Sequence, residues 1–148
     1  MAKAKLEQAL AFLIFYDNIP CLNYGTEILM TGGEDPDNRR DMRFTGLSAE
    51  EAEFKARFQE ILKLRRHEAF GEDFQLESSD PPLLKMTRSS EKGRLTALFN
   101  FSSQPVKVDG VQTYESILSS GDLWQEGDAQ LTLAAYGYLI ALEPRADR

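Results

Sequence analysis

Cysteine is nearly absent from this chain of 148 residues, with Cys21 the single one. An intramolecular disulfide and a cysteine-rich zinc site are therefore excluded. Histidine is as scarce, and His67 stands at no spacing from a serine or cysteine that suggests a nucleophilic triad. Long apolar runs are missing too. The longest, residues 9–16, has eight residues, against about 20 for a helix that spans a bilayer, so no membrane partner is expected. Lys3 and Lys5 precede this run as they would in a signal sequence. Glu7 interrupts it, however, and Asp17-Asn18-Ile19-Pro20 follows where small residues would mark a cleavage site. A cytoplasmic location is the expectation. Positive charge is in deficit: 17 Lys+Arg stand against 24 Asp+Glu, a net charge of −7, which argues against a nucleic-acid partner. Internal repeats and low-complexity stretches are lacking as well. With 42% hydrophobic and 28% charged residues, the composition is that of an ordinary globular domain.

Residues 4–16 are rich in Ala, Leu and Glu and then apolar on almost every side, which predicts a helix buried in a larger body. Asn18 and Pro20 stop it. Residues 19–24 read as a short strand ended by Gly25, and residues 31–47 as a polar loop. Ser48 and Glu51 have the spacing of a capping box, in which hydroxyl and carboxylate satisfy backbone donors reciprocally. Phe54, Phe58, Ile61, Leu62 and Arg65 follow at helical spacing, with Gly71 as the expected stop. Beyond Gly71 the period becomes that of strands, predicted over 73–77, 83–87, 95–101, 106–108, 113–118, 130–134 and 137–142. Turn residues at 80–82, 90–93, 100–105, 109–110 and 119–122 separate them. This succession indicates an antiparallel sandwich. The expected fold class is α+β: N-terminal helices and a short strand over residues 1–70, then an antiparallel β-sandwich over 71–148.

Residues 19–44, IPCLNYGTEILMTGGEDPDNRRDMRF, carry the sharpest motif. Ile19-Pro20, Tyr24-Gly25, Glu27, Gly32-Gly33 and Asp35-Pro36-Asp37-Asn38-Arg39 closely resemble the eighth-strand region of the α-amylase family of glycoside hydrolases, especially its neopullulanase and cyclomaltodextrinase-like members. Residues 6–16 are similar to that family's seventh barrel helix and residues 48–70 to its eighth. Residues 72–148, including Asn100-Phe101-Ser102, are similar to its closing β-sandwich. Asn18, Asn23, Thr26 and Arg43-Phe44 depart from the family's usual residues. The resemblance implies the end of an incomplete (β/α)8 barrel, since a whole one takes about 250 residues.

It also implies that Asp35 and Arg39 grip glucose hydroxyls, the carboxylate accepting and the guanidinium donating. The family's nucleophile, acid/base and stabilising aspartate belong to earlier barrel strands. A retaining glycosidase holds its two carboxyl groups about 5–5.5 Å apart on a rigid scaffold, and no predicted strand pair presents two acids in that context. The expected function is therefore a C-terminal fragment of an α-glucan-acting glycoside hydrolase. Inactive by itself, it would have a structural role and contribute to a sugar subsite. An α-glucan or maltooligosaccharide is the implied ligand. The missing upstream barrel, or self-association through residues 1–30, is the implied partner. A stand-alone, non-catalytic carbohydrate-binding or assembly module is the alternative.

Each residue also has a plainer reading. Asp35 and Arg39 would pair with each other and hold the loop. His67 would sit in the last turn of the capped helix and interact with its dipole. Cys21, in the expected strand, would be a small buried hydrophobe. Gly32-Gly33 lacks the Lys-Ser/Thr of a phosphate loop. Trp124, Tyr136 and Tyr138 suit either a sugar-stacking platform or core packing. Glu34, Asp35, Asp37 and Asp41 lack the regular spacing of a calcium loop, so no metal or cofactor is expected. Ala9, Phe12, Leu13 and Phe15 should be covered, over the sandwich or in a homo-oligomer, because apolar surface left wet costs about 25 cal/mol per Å².

Overall fold

A computed structural model of the chain describes residues 2–77, 81–109, 115–121, 124–125 and 130–143, with the side chains of 124 and 125 outside the description. Asp80, Gly110, Thr113 and Asp122, of the predicted turns and fifth strand, also lie outside the described residues.

The first helix, α1, spans Ala2–Phe15 and buries Gln8, Leu10, Ala11, Ile14 and Phe15. The second, α2, spans Ala49–Lys63, and its capping box forms. Ser48 Oγ accepts from the Glu51 N–H at 3.2 Å, and Glu51 Oε2 accepts from the Ser48 N–H at 2.8 Å. Phe54 and Ile61, two turns apart, are the residues that α2 buries. The helix ends before Gly71. It tightens into a 3₁₀ turn at Leu64–Arg66, and His67 then takes an extended conformation. Gly71 has a different reason to be glycine: a Cβ there would lie 1.6 Å from the Ser89 carbonyl oxygen.

Among the described residues eight strands follow, all in antiparallel pairs. They are β1 (Asp73–Glu77), β2 (Leu83–Ser90), β3 (Gly93–Asn100), β4 (Val106–Asp109), β5 (Glu115–Ser120), β6 (Trp124–Gln125), β7 (Gln130–Leu133) and β8 (Tyr138–Leu142). Five form one sheet in the order β1-β2-β3-β8-β5, and three form a second in the order β4-β7-β6. Alternation along a strand sends successive side chains to opposite faces. Leu95, Ala97 and Phe99 of β3, with Tyr138 and Ile140 of β8, face the helices and join Ile14, Phe15, Phe54 and Ile61 in one core. Leu98, Leu139 and Ala141 face the smaller sheet and meet Val108, Leu131 and Leu133 in another. Sheet and helices thus stack in three layers. The α+β class and the antiparallel sandwich are observed as expected.

Polar side chains stitch α1 to the sheet. Gln8, buried, donates to the carbonyls of Asn100 at 2.7 Å and Gly137 at 3.1 Å. Arg88 of β2, also buried, donates to the Phe15 carbonyl at 2.7 Å and the Gly71 carbonyl at 2.9 Å. Its guanidinium lies 4.6 Å from the centre of the Phe70 ring and 5.0 Å from that of Phe74. Arg65 donates to the carbonyls of Ile14, Tyr16 and Asn18. Two guanidiniums from distant elements therefore serve carbonyls at and just beyond the end of α1, which has no basic residue in its own last turn. Burial lowers the pKa of Arg65, and the nearby Arg88 charge adds to that shift. A third cluster joins α1, α2 and β8. Arg57 Nε donates to Glu7 Oε1 at 2.7 Å, and the Tyr138 hydroxyl donates to the same oxygen at 2.9 Å while accepting from Arg57 at 3.0 Å. Burial, then the neighbouring Glu7 charge, pushes the Tyr138 phenol well above its usual range.

The predicted strand at residues 19–24 does not form. A strand exists only where its backbone groups find a neighbouring strand, and among the described residues none pairs with this segment. Ile19 is 93% exposed. Cys21 is exposed rather than buried, for the same reason.

Candidate functional site

The loop after this segment is built from its backbone outward. Gly25 takes φ +85, and its carbonyl accepts from the N–H groups of Ile28 at 3.1 Å and Met30 at 2.9 Å. A short 3₁₀ turn at Thr26–Ile28 results, with Ile28 buried and the turn packed on α2. Residues 31–41 then run entirely exposed. The Asp35–Pro36 peptide is cis, and Pro36 leads into a second 3₁₀ turn at Asp37–Arg39.

Within that turn Arg39 Nε stands 2.8 Å from Asp35 Oδ1, with the two side chains 76% and 59% exposed. The structure thus brings the two predicted site residues together, paired with each other and open to water. Asp37 Oδ2 accepts from the Gly33 N–H at 2.7 Å, and its Oδ1 accepts from Arg40 Nε at 2.7 Å. These contacts, the Gly33 N–H first and the Arg40 guanidinium second, hold the Asp37 carboxyl below the usual carboxylate range. The Tyr24 hydroxyl donates to the Arg40 carbonyl at 2.9 Å. At the far end Arg43 pairs with Glu51, the capping residue of α2. The Ser48 N–H, then Arg43, keep the Glu51 carboxyl low. A hollow of about 200 Å³ beside the loop is lined by Met30, Arg40, Asp41, Arg43 and Glu51 among others, without Asp35 or Arg39.

The remaining predicted residues are placed apart. The His67 ring lies past the helix, where Nδ1 accepts from the Ala69 N–H at 3.1 Å. His67 caps the 3₁₀ turn that ends α2 rather than lying in the helix's last turn. Tyr138 is fully buried and bonded to Glu7, so it presents no face for stacking. Tyr136 carries the Lys5 ammonium 4.5 Å above its ring. The Trp124 side chain lies outside the described residues. Among the described residues, no three His, Cys, Asp or Glu side chains converge as metal ligands would. Sequence reasoning missed Asp37 as an organiser of the loop. Its signal was present, an acid four residues after Gly33 and three before Arg40. It missed the roles of half-buried Arg57 and Arg65 and of buried Arg88, each with a partner 47 to 81 residues away.

Comparison with known proteins places this geometry. The family pattern described as "Beta-galactosidase C-terminal domain" matches residues 85–143, which run from within β2 to just past β8. A cyclomaltodextrin glucanotransferase of Bacillus sp. (strain 17-1) is 57% identical over 37 residues, which are 25% of this chain and 5% of that protein. Alpha-amylase 2 of Schwanniomyces occidentalis is 26% identical over 149 aligned positions, which cover 90% of this chain and 29% of the amylase. The debranching enzyme of Nostoc punctiforme has the same fold over 95% of this chain, with a TM-score of 0.75 and 22% identity, and 31% of that enzyme is covered. The chain therefore spans less than a third of the length of each of these relatives. From α1 to β8 this chain is similar to the C-terminal region of the α-amylase family of glycoside hydrolases.

Proposed function

We propose that this chain serves as the C-terminal, non-catalytic part of an α-glucan-acting glycoside hydrolase. In this reading the helices and sandwich have a structural role, and Asp35 and Arg39 contribute to a sugar subsite. The observation that carries the reading is the pair itself, a carboxylate and a guanidinium held 2.8 Å apart and left mostly in water. Adjacent sugar hydroxyls donate to the first and accept from the second. An exposed ion pair is worth only about 0–1 kcal/mol to the fold. Exchanging part of that contact for sugar hydroxyls therefore costs little. The names of the relatives, a cyclomaltodextrin glucanotransferase and an alpha-amylase, support an α-glucan as the ligand class. The chemical step falls to the part of such an enzyme that this chain does not match.

An NMR titration with maltotriose, run beside the Asp35→Ala variant, tests the reading. Saturable shifts confined to residues 32–41, lost in the variant, are the expected result. Absence of binding at millimolar sugar sinks the subsite and leaves only the structural role.

A further inference from the structure

In the loop that carries Asp35 and Arg39, the two pair with each other across the turn, and the Arg39 N–H donates to the Pro36 carbonyl at 2.9 Å. The flanks on either side of that pair are tied by the residue between them. Asp37 reaches back with Oδ2 to the Gly33 N–H, two residues before Asp35, and forward with Oδ1 to the Arg40 guanidinium, one residue after Arg39. The two contacts bracket the pair. The Asp37 backbone adds a third, its N–H donating to the Glu34 carbonyl at 2.8 Å. The turn is tight enough that a Cβ on Gly32 would stand 2.8 Å from Asn38 Cα and 3.1 Å from the Asp37 carbonyl oxygen. The Arg40 end is fixed from outside by the Tyr24 hydroxyl on its carbonyl. Asp35 and Arg39, by contrast, face each other and water.

We infer that Asp37 is the positioning residue of this loop, setting the separation and direction of Asp35 and Arg39 for a maltooligosaccharide. The role presupposes the subsite reading of that pair. Its physical basis is preorganisation. Fixing a residue's backbone costs about 1–2 kcal/mol in conformational entropy, and a loop already folded before the sugar arrives spares the ligand that cost. Asp37 does this without touching sugar, so its loss should weaken binding through the shape of the loop.

The test uses the whole chain and three variants, Asp37→Ala, Asp37→Asn and Asp35→Ala, with two readouts. The first is the exchange rate of the Gly33 amide and the chemical shift of the Arg39 Nε–H, measured without sugar. The second is maltotriose affinity. In Asp37→Ala the Gly33 amide should exchange at least about tenfold faster as its acceptor is lost. The Arg39 Nε–H should move toward the shift of a free guanidinium, and affinity should fall about as far as in Asp35→Ala. Asp37→Asn keeps a carbonyl acceptor for Gly33 while losing the Arg40 ion pair. It should restore the Gly33 protection and part of the affinity. An Arg39 signal unchanged in Asp37→Ala overturns the inference. So does wild-type affinity in that variant alongside loss in Asp35→Ala. If the wild-type chain binds no maltotriose, the subsite reading fails, and the Arg39 signal alone decides whether Asp37 positions the pair. Unchanged Ser48 and Phe54 amide shifts establish that the variants are folded.

Discussion

Arg88 and Arg39 each hold a guanidinium against an aspartate, but Arg88 is 5% exposed and Arg39 76%. The buried one is answered mainly by backbone: the Phe15 and Gly71 carbonyls, with two aromatic rings beside it. The exposed one has a carboxylate and water. Identical side-chain chemistry thus does opposite things. In the helix–sheet layer the guanidinium satisfies acceptors that water cannot reach, so it cannot be removed cheaply. In the loop water replaces whatever is removed, so the pair contributes little to the fold.

Three substitutions would break or sharpen this contrast. The largest effect belongs to Arg88→Ala, which orphans buried carbonyls and strips the stacked guanidinium from Phe70 and Phe74. A loss of about 3 kcal/mol is expected, read as a lower urea midpoint. A loss below about 0.5 kcal/mol would mean that water already serves those carbonyls. Ser48→Ala should be intermediate. It removes one half of the capping box, at a cost of about 1 kcal/mol, with the Glu51 amide losing its acceptor in NMR spectra. Arg39→Ala should be smallest, within about 0.5 kcal/mol of the parent in the same unfolding measurement. A large loss there would show that the pair is structural, and would remove the ground for reading it as a sugar contact.

Features carried by short-range pattern were legible in the sequence. β1 occupies residues 73–77, where alternation places it, and Ser48 and Glu51 make the box their spacing indicates. β4 and β8 fall within one residue of their predicted ends. β6 was not legible, because its two residues are too few to show a period. Residues 19–24 look like a strand by composition, yet pairing is a property of a neighbour, and composition does not report the neighbour. The same limit hid the roles of two arginines. Arg65 stood with the residues at helical spacing and Arg88 just past a predicted strand, while the carbonyls they serve at and beyond the end of α1 lie 47 to 73 residues away. At the candidate site, the plainer reading of Asp35 and Arg39, that they pair with each other, is what the structure shows. The hold of Asp37 on both flanks depends on a turn whose shape the sequence shows only in part, through Gly32-Gly33 and Pro36.

β3 and β8 are dry on both sides, one face in each core. They act as a party wall between two rooms, and neither room can be opened without exposing it. The helices cannot peel away while the sandwich stays intact, since Phe99 and Tyr138 would then face water from strands that Leu98 and Leu139 still hold in place. The two cores should therefore melt in a single step, as a small two-state domain does. The amides of β3 and β8 should be the slowest to exchange in the whole chain, reporting the global unfolding free energy. Residues 31–41 should exchange by local opening alone, so that loop can open without disturbing the wall.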